Sequence, residues 1–199
     1  MNLPDWDRVR AAVDADGYAR LPALLNREET ASLRPLFAAD QGFRSQVNMQ
    51  RHGYGAGSYK YFSYPLPDLV ATLRRRIYPE LVPLANRWMA DMGKPDRFPA
   101  DHAAYLAACH AAGQLRPTPL LLDYGPGDYN RLHQDLYGDM HFPLQLVTML
   151  SPADAYAGGA FVLTEARPRM QSRAEAIIDR KSTRLNSSHI PLSRMPSSA

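Results

Sequence analysis

The chain has 199 residues, enough for one domain with a sizeable core and short for two. Its one cysteine, Cys109, excludes an intramolecular disulfide and fits a reducing compartment. No apolar run could span a membrane and no signal-peptide pattern is present, so we expect a soluble, cytoplasmic protein. The formal charge of +3 lies wholly in residues 179–199, so the neutral remainder gives no strong indication of a nucleic-acid partner.

The first elements are predicted to be two helices separated by a short strand. Apolar residues at helical spacing indicate a helix over Trp6–Ala15, with Asp5 as its N-cap. Tyr18–Leu21 is typical of a short strand. Asn26 is placed to cap a second helix over Arg27–Phe37, whose first turn is acidic as the helix dipole favours. We interpret this part of the chain as structural.

Residues 43–64 predict a β-hairpin that is rich in aromatic side chains. Alternating apolar residues precede a glycine-rich turn, and aromatic residues follow it. Aromatic residues on such a strand usually pack on the core. The alternative is a stacking platform for a flipped base or a single strand. Its members would be Arg51, His52, Tyr54, Tyr59, Lys60, Tyr61, Phe62 and Tyr64.

Two further helical stretches follow. Residues 68–92 carry apolar side chains at spacings of three and four, but Pro79 and Pro83 each remove a helical N–H, so we predict two packed helices there. A further helix is predicted over Pro99–Ala112. Within it, Cys109 has small apolar neighbours and is expected to be a buried hydrophobe.

The stretch from Leu120 to Gln145 carries the candidate chemistry. A short apolar run and a Gly-Pro-Gly-Asp turn precede a predicted strand over Tyr129–Leu136. On that strand, His133 and Asp135 would point to the same side. An imidazole and a carboxylate are two thirds of the 2-His-1-carboxylate set that binds Fe(II) in non-haem oxygenases. Isolated His-x-Asp pairs also occur in surface loops, so the motif alone is weak.

The surrounding spacing gives this motif more weight. Tyr124, Gly127, His133 and Asp135, followed by Gly158-Gly159-x-Phe161, resemble the first half of the 2-oxoglutarate- and Fe(II)-dependent dioxygenases. The similarity is greatest to the prolyl-hydroxylase-like branch and to a bacterial oxygenase group linked to nucleic-acid modification. It implies that His133 and Asp135 are metal ligands and that Tyr124 hydrogen-bonds 2-oxoglutarate.

The resemblance also implies a fold and a reaction. The expected fold class is α+β, with an incomplete double-stranded β-helix, or jelly roll, as core and N-terminal helices packed against it. The expected activity is that of a dioxygenase with hydroxylase- or demethylase-type chemistry. Fe(II), the co-substrate 2-oxoglutarate and O2 would be required, and the substrate is open among protein, nucleic acid and small molecules.

Residues 179–199 differ in composition from the rest of the chain. They hold half of its serines and can be back-translated into a sequencing-library adapter read in frame. We therefore predict a truncated oxygenase-like domain over residues 1–178 and a non-native, disordered tail over 179–199. The family's second iron histidine and its basic partner for the 2-oxoglutarate carboxylate would lie beyond Ile178, so we expect little activity from this polypeptide.

Two alternatives stay open at this stage. His133, Asp135 and His141 are a conceivable zinc set for a metal-dependent hydrolase. The chain is also compatible with a non-catalytic β-sandwich binding module in which the His-x-Asp pair has no role. Metal affinity that survives replacement of His133 and Asp135 by alanine would support the binding module and argue against both enzyme hypotheses.

Overall fold

The computed structural model describes residues 3–21, 24–95, 97–133, 135, 138–152, 154–165, 173–177 and 183–187. Short 3-10 helices cover Arg34–Ala38 and Met49–His52. Within these residues, no helix has the length and apolar character needed to cross a membrane. The elements in chain order are α1 (Trp6–Asp16), β1 (Tyr18–Leu21), α2 (Arg27–Leu33), β2 (Phe43–Asn48), β3 (Gly55–Ala56), β4 (Ser58–Phe62), α3 (Asp68–Asp91), α4 (His102–Ala111), β5 (Leu120–Asp123), β6 (Tyr129–Asn130), β7 (Leu144–Thr148), β8 (Phe161–Glu165), β9 (Arg173–Ile177) and β10 (Thr183–Ser187).

The chain divides into two compact units. Unit 1 consists of Met1–Asn26, Gln134–Leu136 and Pro143–Ala199. Unit 2 consists of Arg27–His133 and Tyr137–Phe142. Each unit is described by itself below.

Unit 1 contains helix α1 and an antiparallel sheet in the order β1-β10-β7. The carboxylate of Asp5 caps α1 by accepting hydrogen bonds from the backbone N–H groups of Asp7 and Arg8. Gly17 ends the helix with φ 78° and leads directly into β1. The predicted helix, its cap and the strand Tyr18–Leu21 are therefore confirmed. Strands β8 and β9 form a separate antiparallel pair in this unit.

Part of the C-terminal tail lies in this sheet. Strand β10 pairs with β1 and with β7, with Leu185 opposite Ala19 on one side and Leu146 on the other. Of residues 179–199, the structure describes only 183–187, and these form a strand. This segment contains neither proline nor glycine and begins with a β-branched threonine, so its backbone can pair on both sides. The disorder predicted for the tail as a whole stays a prediction. The non-native origin of the tail stays a prediction.

Unit 2 contains the predicted hairpin. Strands β2 and β4 pair antiparallel, β5 adds to the other side of β4, and the short strands β3 and β6 pair separately. A β-bulge between Phe43 and Ser45 makes Arg44 the extra residue of β2. The rings of Phe43 and Phe62 stack with their centroids 4.9 Å apart. The hairpin is confirmed, with a bulge that the sequence did not indicate.

Helix α3 is continuous, so the prediction of two helices between residues 68 and 92 is wrong. Pro79 and Pro83 lie inside a helix of 24 residues. Each proline removes one backbone hydrogen bond. The buried face runs without a break past both prolines, and we attribute the continuity of the helix to this packing. Its buried residues are Ile77, Tyr78, Leu81, Val82, Leu84, Ala85, Trp88 and Met89.

Helices α3 and α4 supply the core of unit 2. The observed helix α4 begins at His102, with Asp101 as its N-cap, and is therefore shorter at its start than predicted. Cys109 lies buried in the cluster, as expected. Asn86 exchanges two hydrogen bonds with the backbone of Phe98, over 2.7 and 3.0 Å. The cluster comprises Tyr78, Val82, Ala85, Met89, Phe98, Tyr105 and Cys109, with Met140 and Phe142 packed against it.

The strand predicted over Tyr129–Leu136 is much shorter in the structure. Strand β6 ends at Asn130, because its partner β3 is only two residues long. One further bond, from the backbone N–H of Arg131 to the carbonyl of Tyr54 over 2.8 Å, extends the pairing. His133 therefore lies in irregular chain after the strand. The described sheets are small and antiparallel and none closes into a barrel, so the jelly roll stays a prediction.

Candidate metal and co-substrate site

Tyr124 follows strand β5 at the start of a tight turn. The backbone N–H of Asp128 donates to the carbonyl of Gly125 over 3.1 Å, and the Gly125 N–H donates to Oδ2 of Asp128 over 2.8 Å. These two bonds close the Gly-Pro-Gly-Asp turn that the sequence indicates. The turn holds Tyr124 beside the β3–β6 pair while leaving its side chain 42% exposed.

Gly57 provides the surface against which the Tyr124 ring packs. It has φ +112°, and a Cβ atom at this position would lie 2.8 Å from Cδ1 of Tyr124 and 3.0 Å from the carbonyl oxygen of Asp123. Only glycine fits this approach without displacing the ring. Partial burial raises the pKa of the Tyr124 hydroxyl, and the nearby Asp128 adds to this, while a hydrogen bond with Asn130 opposes it. The phenol therefore stays a protonated hydrogen-bond donor at neutral pH.

His133 is exposed, and a local hydrogen bond sets its tautomer. Its Nδ1 lies 2.7 Å from the backbone carbonyl oxygen of Arg131. Because a carbonyl oxygen can only accept, Nδ1 must carry the proton. In the neutral ring, the lone pair is then on Nε2. Metal-binding histidines commonly donate their other ring N–H to a backbone carbonyl in this way.

Asp135 is half-buried and is held by a neighbour from strand β7. The Nε2 of Gln145 donates a hydrogen bond to Oδ2 of Asp135 over 2.9 Å. Carboxylates that bind metals are in turn commonly hydrogen-bonded by a second residue, which fixes their orientation. Sequence reasoning missed Gln145. The available signal was a polar residue within the apolar run Leu144–Leu150.

The structure groups no three metal-binding side chains within the residues it describes, counting histidine, cysteine, aspartate and glutamate. His133 belongs to unit 2 and Asp135 to unit 1, so each is described in its own surroundings. His141 lies in unit 2 beside Phe142, which packs against the core of that unit. The two-ligand set and the alternative zinc set of His133, Asp135 and His141 both stay predictions.

The predicted stacking platform divides between core and surface. Phe62 and Lys60 are buried, whereas Tyr54 and Tyr64 are 50% and 40% exposed. Tyr59 and Tyr61 are partly buried and meet edge to face, with their centroids 5.5 Å apart. The eight residues therefore do not form one exposed surface.

Comparisons with known proteins place these residues within a recognised family. Residues 57–186 match the model of a family described as "Oxygenase, catalysing oxidative methylation of damaged DNA". Two uncharacterised proteins, from two strains of Mycobacterium tuberculosis, are each 49% identical over 117 residues, which is 58% of this chain and 50% of theirs. The chain thus spans about half the length of the curated relatives it matches. No solved structure matches.

Proposed function

The chain belongs to the oxygenase family described as catalysing oxidative methylation of damaged DNA, and we propose from this that its protein is a 2-oxoglutarate- and Fe(II)-dependent dioxygenase acting on methylated DNA bases. The observation that carries the proposal is that the family match spans Tyr124, His133 and Asp135, the residues that the resemblance to dioxygenases assigns to the co-substrate and the metal. This deepens the family assignment by naming the metal and the co-substrate.

The local chemistry of the proposed ligands fits Fe(II). His133 would present Nε2, since its Nδ1–H is engaged by the Arg131 carbonyl. Asp135 would present a carboxylate oxygen, while the Gln145 amide holds Oδ2. Imidazole nitrogen and carboxylate oxygen are the ligand types of the non-haem iron oxygenases. The third protein ligand is not assigned among the described residues.

When bound, iron and 2-oxoglutarate together supply activated oxygen at the expense of the keto acid, which loses CO2 and becomes succinate. One oxygen atom of O2 enters succinate and the other enters a C–H bond of the substrate. On an N-methyl group this gives an N-hydroxymethyl group, which loses formaldehyde and leaves the N–H. Oxygen insertion thus removes a methyl group, so we propose demethylation as the direction of the reaction.

The chain's own residues would bind and orient the reactants. The Arg131 carbonyl keeps the His133 ring in the tautomer that can bind a metal. Gln145 restricts the Asp135 carboxylate in the same manner. The Tyr124 hydroxyl would donate a hydrogen bond to a carboxylate oxygen of 2-oxoglutarate, and it remains protonated because its pKa is raised. Gly57 keeps space for this ring.

The test is anaerobic binding of Fe(II) and 2-oxoglutarate, because a keto acid chelated to Fe(II) gives a visible charge-transfer band. We expect the full chain to show this band and expect His133→Ala and Asp135→Asn to abolish it. Tyr124→Phe should retain the band but weaken 2-oxoglutarate binding by about tenfold, the value of one hydrogen bond to a charged group. His52→Ala is the matched control, since His52 is an exposed histidine outside the proposed site.

Activity provides the second measurement. Any succinate and formaldehyde that form should require an oligonucleotide that carries N-methylated bases, and we expect the amounts from this polypeptide to be small. A band that persists in both ligand variants would contradict the assignment of His133 and Asp135. Hydrolysis that requires Zn(II) and no 2-oxoglutarate would instead support the hydrolase alternative.

A further inference from the structure

Tyr54 is an exposed tyrosine on a turn that is anchored in the core of unit 2. It comes shortly after the 3-10 helix Met49–His52, and about half of its surface is exposed. Its backbone N–H donates to the carbonyl of Met49 over 3.0 Å, and Met49 itself is fully buried. The position of the Tyr54 backbone is therefore fixed although its ring is accessible.

Close packing of the backbone holds this turn against strand β6. Gly55 has φ +133°, and a Cβ atom there would collide with the carbonyl oxygen of Tyr129, so only glycine allows this approach. The backbone N–H of Arg131 donates to the carbonyl of Tyr54 over 2.8 Å, which continues the register that pairs Gly55 with Asn130. Arg131 therefore lies opposite Tyr54, and the side chains of such a pair lie on the same face.

Arg131 also connects Tyr54 to the proposed metal ligand His133, and all three residues belong to unit 2. The N–H of Arg131 binds the carbonyl of Tyr54, and its own carbonyl accepts the bond from Nδ1 of His133. Paired Cα atoms are about 5.5 Å apart and two residues span at most about 7 Å, so the Cα atoms of Tyr54 and His133 are within about 13 Å. A DNA strand that presents one base at His133 would pass close to Tyr54.

The Tyr54 ring has one covered face and one available face. The imidazole of His52 stacks on it, with the ring centroids 5.4 Å apart and the planes inclined at 21°. Among the residues that the structure describes, no other ring and no cation contacts the Tyr54 ring. Single-stranded nucleic acids are bound by stacking their bases on accessible aromatic rings of this kind.

The charged groups near this ring favour an anion. Arg51 and Arg131 are exposed, and their guanidinium groups make no hydrogen bond or ion pair with any residue that the structure describes. Asp128 is close to Arg131 in sequence, but its carboxylate accepts a hydrogen bond from the Gly125 N–H within the tight turn. Guanidinium groups suit the oxygen atoms of phosphates. An aromatic ring beside an unpaired arginine matches a base and its phosphate.

We propose that Tyr54, supported by His52, stacks on a base of a single DNA strand and that Arg131 binds a phosphate of the same strand. This inference rests on the proposed function, since it takes DNA as the substrate and names residues that hold it beside the metal. It keeps the exposed members Arg51, His52 and Tyr54 of the predicted stacking platform. It adds Arg131, which the sequence did not indicate as a partner of that platform.

The test compares two fluorescein-labelled single strands by anisotropy, one intact and one in which abasic spacers replace the bases. The assay uses the full chain without iron or 2-oxoglutarate, so it does not depend on oxygenase activity. We expect Tyr54→Ala to weaken binding of the intact strand about tenfold, the effect of one stacked base, and to leave binding of the abasic strand unchanged. Tyr54→Phe should bind as the wild type does. Tyr64→Ala is the matched control, because Tyr64 is also exposed and also contacts a histidine ring, that of His110.

Arg131 is tested by the salt dependence of the same binding. Arg131→Gln should weaken binding of both strands and reduce the slope of log K against log salt by about 0.7, the effect of one phosphate contact on a single strand. Arg76→Gln, at an exposed arginine on helix α3, is the matched control. Circular dichroism and melting temperatures establish that each variant is folded. His52 stays suitable as the control for iron and 2-oxoglutarate binding, because that assay contains no DNA.

The outcomes separate this surface from the proposed function. Equal losses in Tyr54→Ala and Tyr64→Ala would overturn the stacking role while leaving DNA as the substrate. Equal wild-type affinity for the intact and abasic strands would show that only phosphates are bound, which also overturns it. If neither strand binds, the surface is wrong, and the iron and 2-oxoglutarate band still tests the enzyme. Absence of that band with Tyr54-dependent DNA binding intact would overturn the proposed function alone.

Discussion

Gln145 donates a hydrogen bond from Nε2 to Oδ2 of Asp135 over 2.9 Å. The contact joins a side chain on strand β7 to the carboxylate that we propose as a metal ligand. On the proposed function, this bond would fix one carboxylate oxygen and leave the other to bind the metal. The function of Gln145 can therefore be tested separately from that of Asp135.

Gln145→Leu should weaken metal binding by about tenfold or more, because the Asp135 carboxylate loses its orienting donor. Co(II) affinity, measured by its visible absorption, gives a readout that does not depend on turnover. Gln50→Leu is the matched control, since Gln50 is exposed. Equal Co(II) affinities for the two variants would show that the hydrogen bond has no part in metal binding.

Gly57→Ala should destabilise unit 2 by about 2 kcal/mol and weaken 2-oxoglutarate binding. The added methyl group meets the Tyr124 ring and a backbone oxygen, in addition to the cost of a positive φ. Gly42→Ala separates these two effects, because Gly42 has φ +87° with no atom within 4 Å of the added carbon. Urea unfolding measures the free energy of unfolding of both variants. Equal losses would show that the contact between the added methyl group and Tyr124 does not lower stability.

Stability should fall as the pH decreases from about 6.5 toward 4, in part because of His102. Burial lowers the pKa of His102 to about 4, assisted by Arg74 and Arg75, while Asp101 opposes the shift. In this pH range the unfolded chain binds a proton that the folded chain excludes, so protonation favours unfolding. We expect His102→Gln to reduce the pH dependence of the melting temperature. An identical pH profile in wild type and His102→Gln would contradict this assignment.

Lys60→Met should raise the free energy of unfolding by about 1 kcal/mol. The thioether replaces a buried, unneutralised charge between two phenylalanine rings, although the bond to Ala39 is lost. Chemical unfolding measures the change, with Lys94→Met expected to be nearly neutral. A loss of stability would show that the hydrogen bond and the aromatic contacts outweigh the buried charge.

Local sequence signals predicted much of the fold. Signals that act over a few residues can be identified without the tertiary structure. Examples are the cap at Asp5, the acidic first turn of α2 and the alternation in the hairpin. The continuity of α3 was not predictable in this way, because tertiary packing along its buried face offsets the local penalty of Pro79 and Pro83.

The candidate site shows the same limit. His133 and Asp135 could be selected from their spacing and Tyr124 from the resemblance to the dioxygenases, and the family match covers all three. The residues that surround them could not be predicted from the sequence. Gln145 meets Asp135, and Gly57 meets Tyr124, only because strand pairing and turn geometry bring them together. The early end of β6 likewise depends on the length of its partner β3. The residues of β6 alone do not indicate that length.

The position of β10 has a consequence for the order in which the protein can fold. Strand β10 lies between β1 and β7 in the sheet, yet β1 is near the N-terminus and β10 is at residues 183–187. During synthesis, β1 can pair with β10 only after residues 183–187 have emerged from the ribosome. Unit 2 is built mainly from the continuous stretch Arg27–His133 and can form earlier. In this polypeptide, a nascent chain that has not yet reached β10 would therefore have β1 without this partner while unit 2 can already fold.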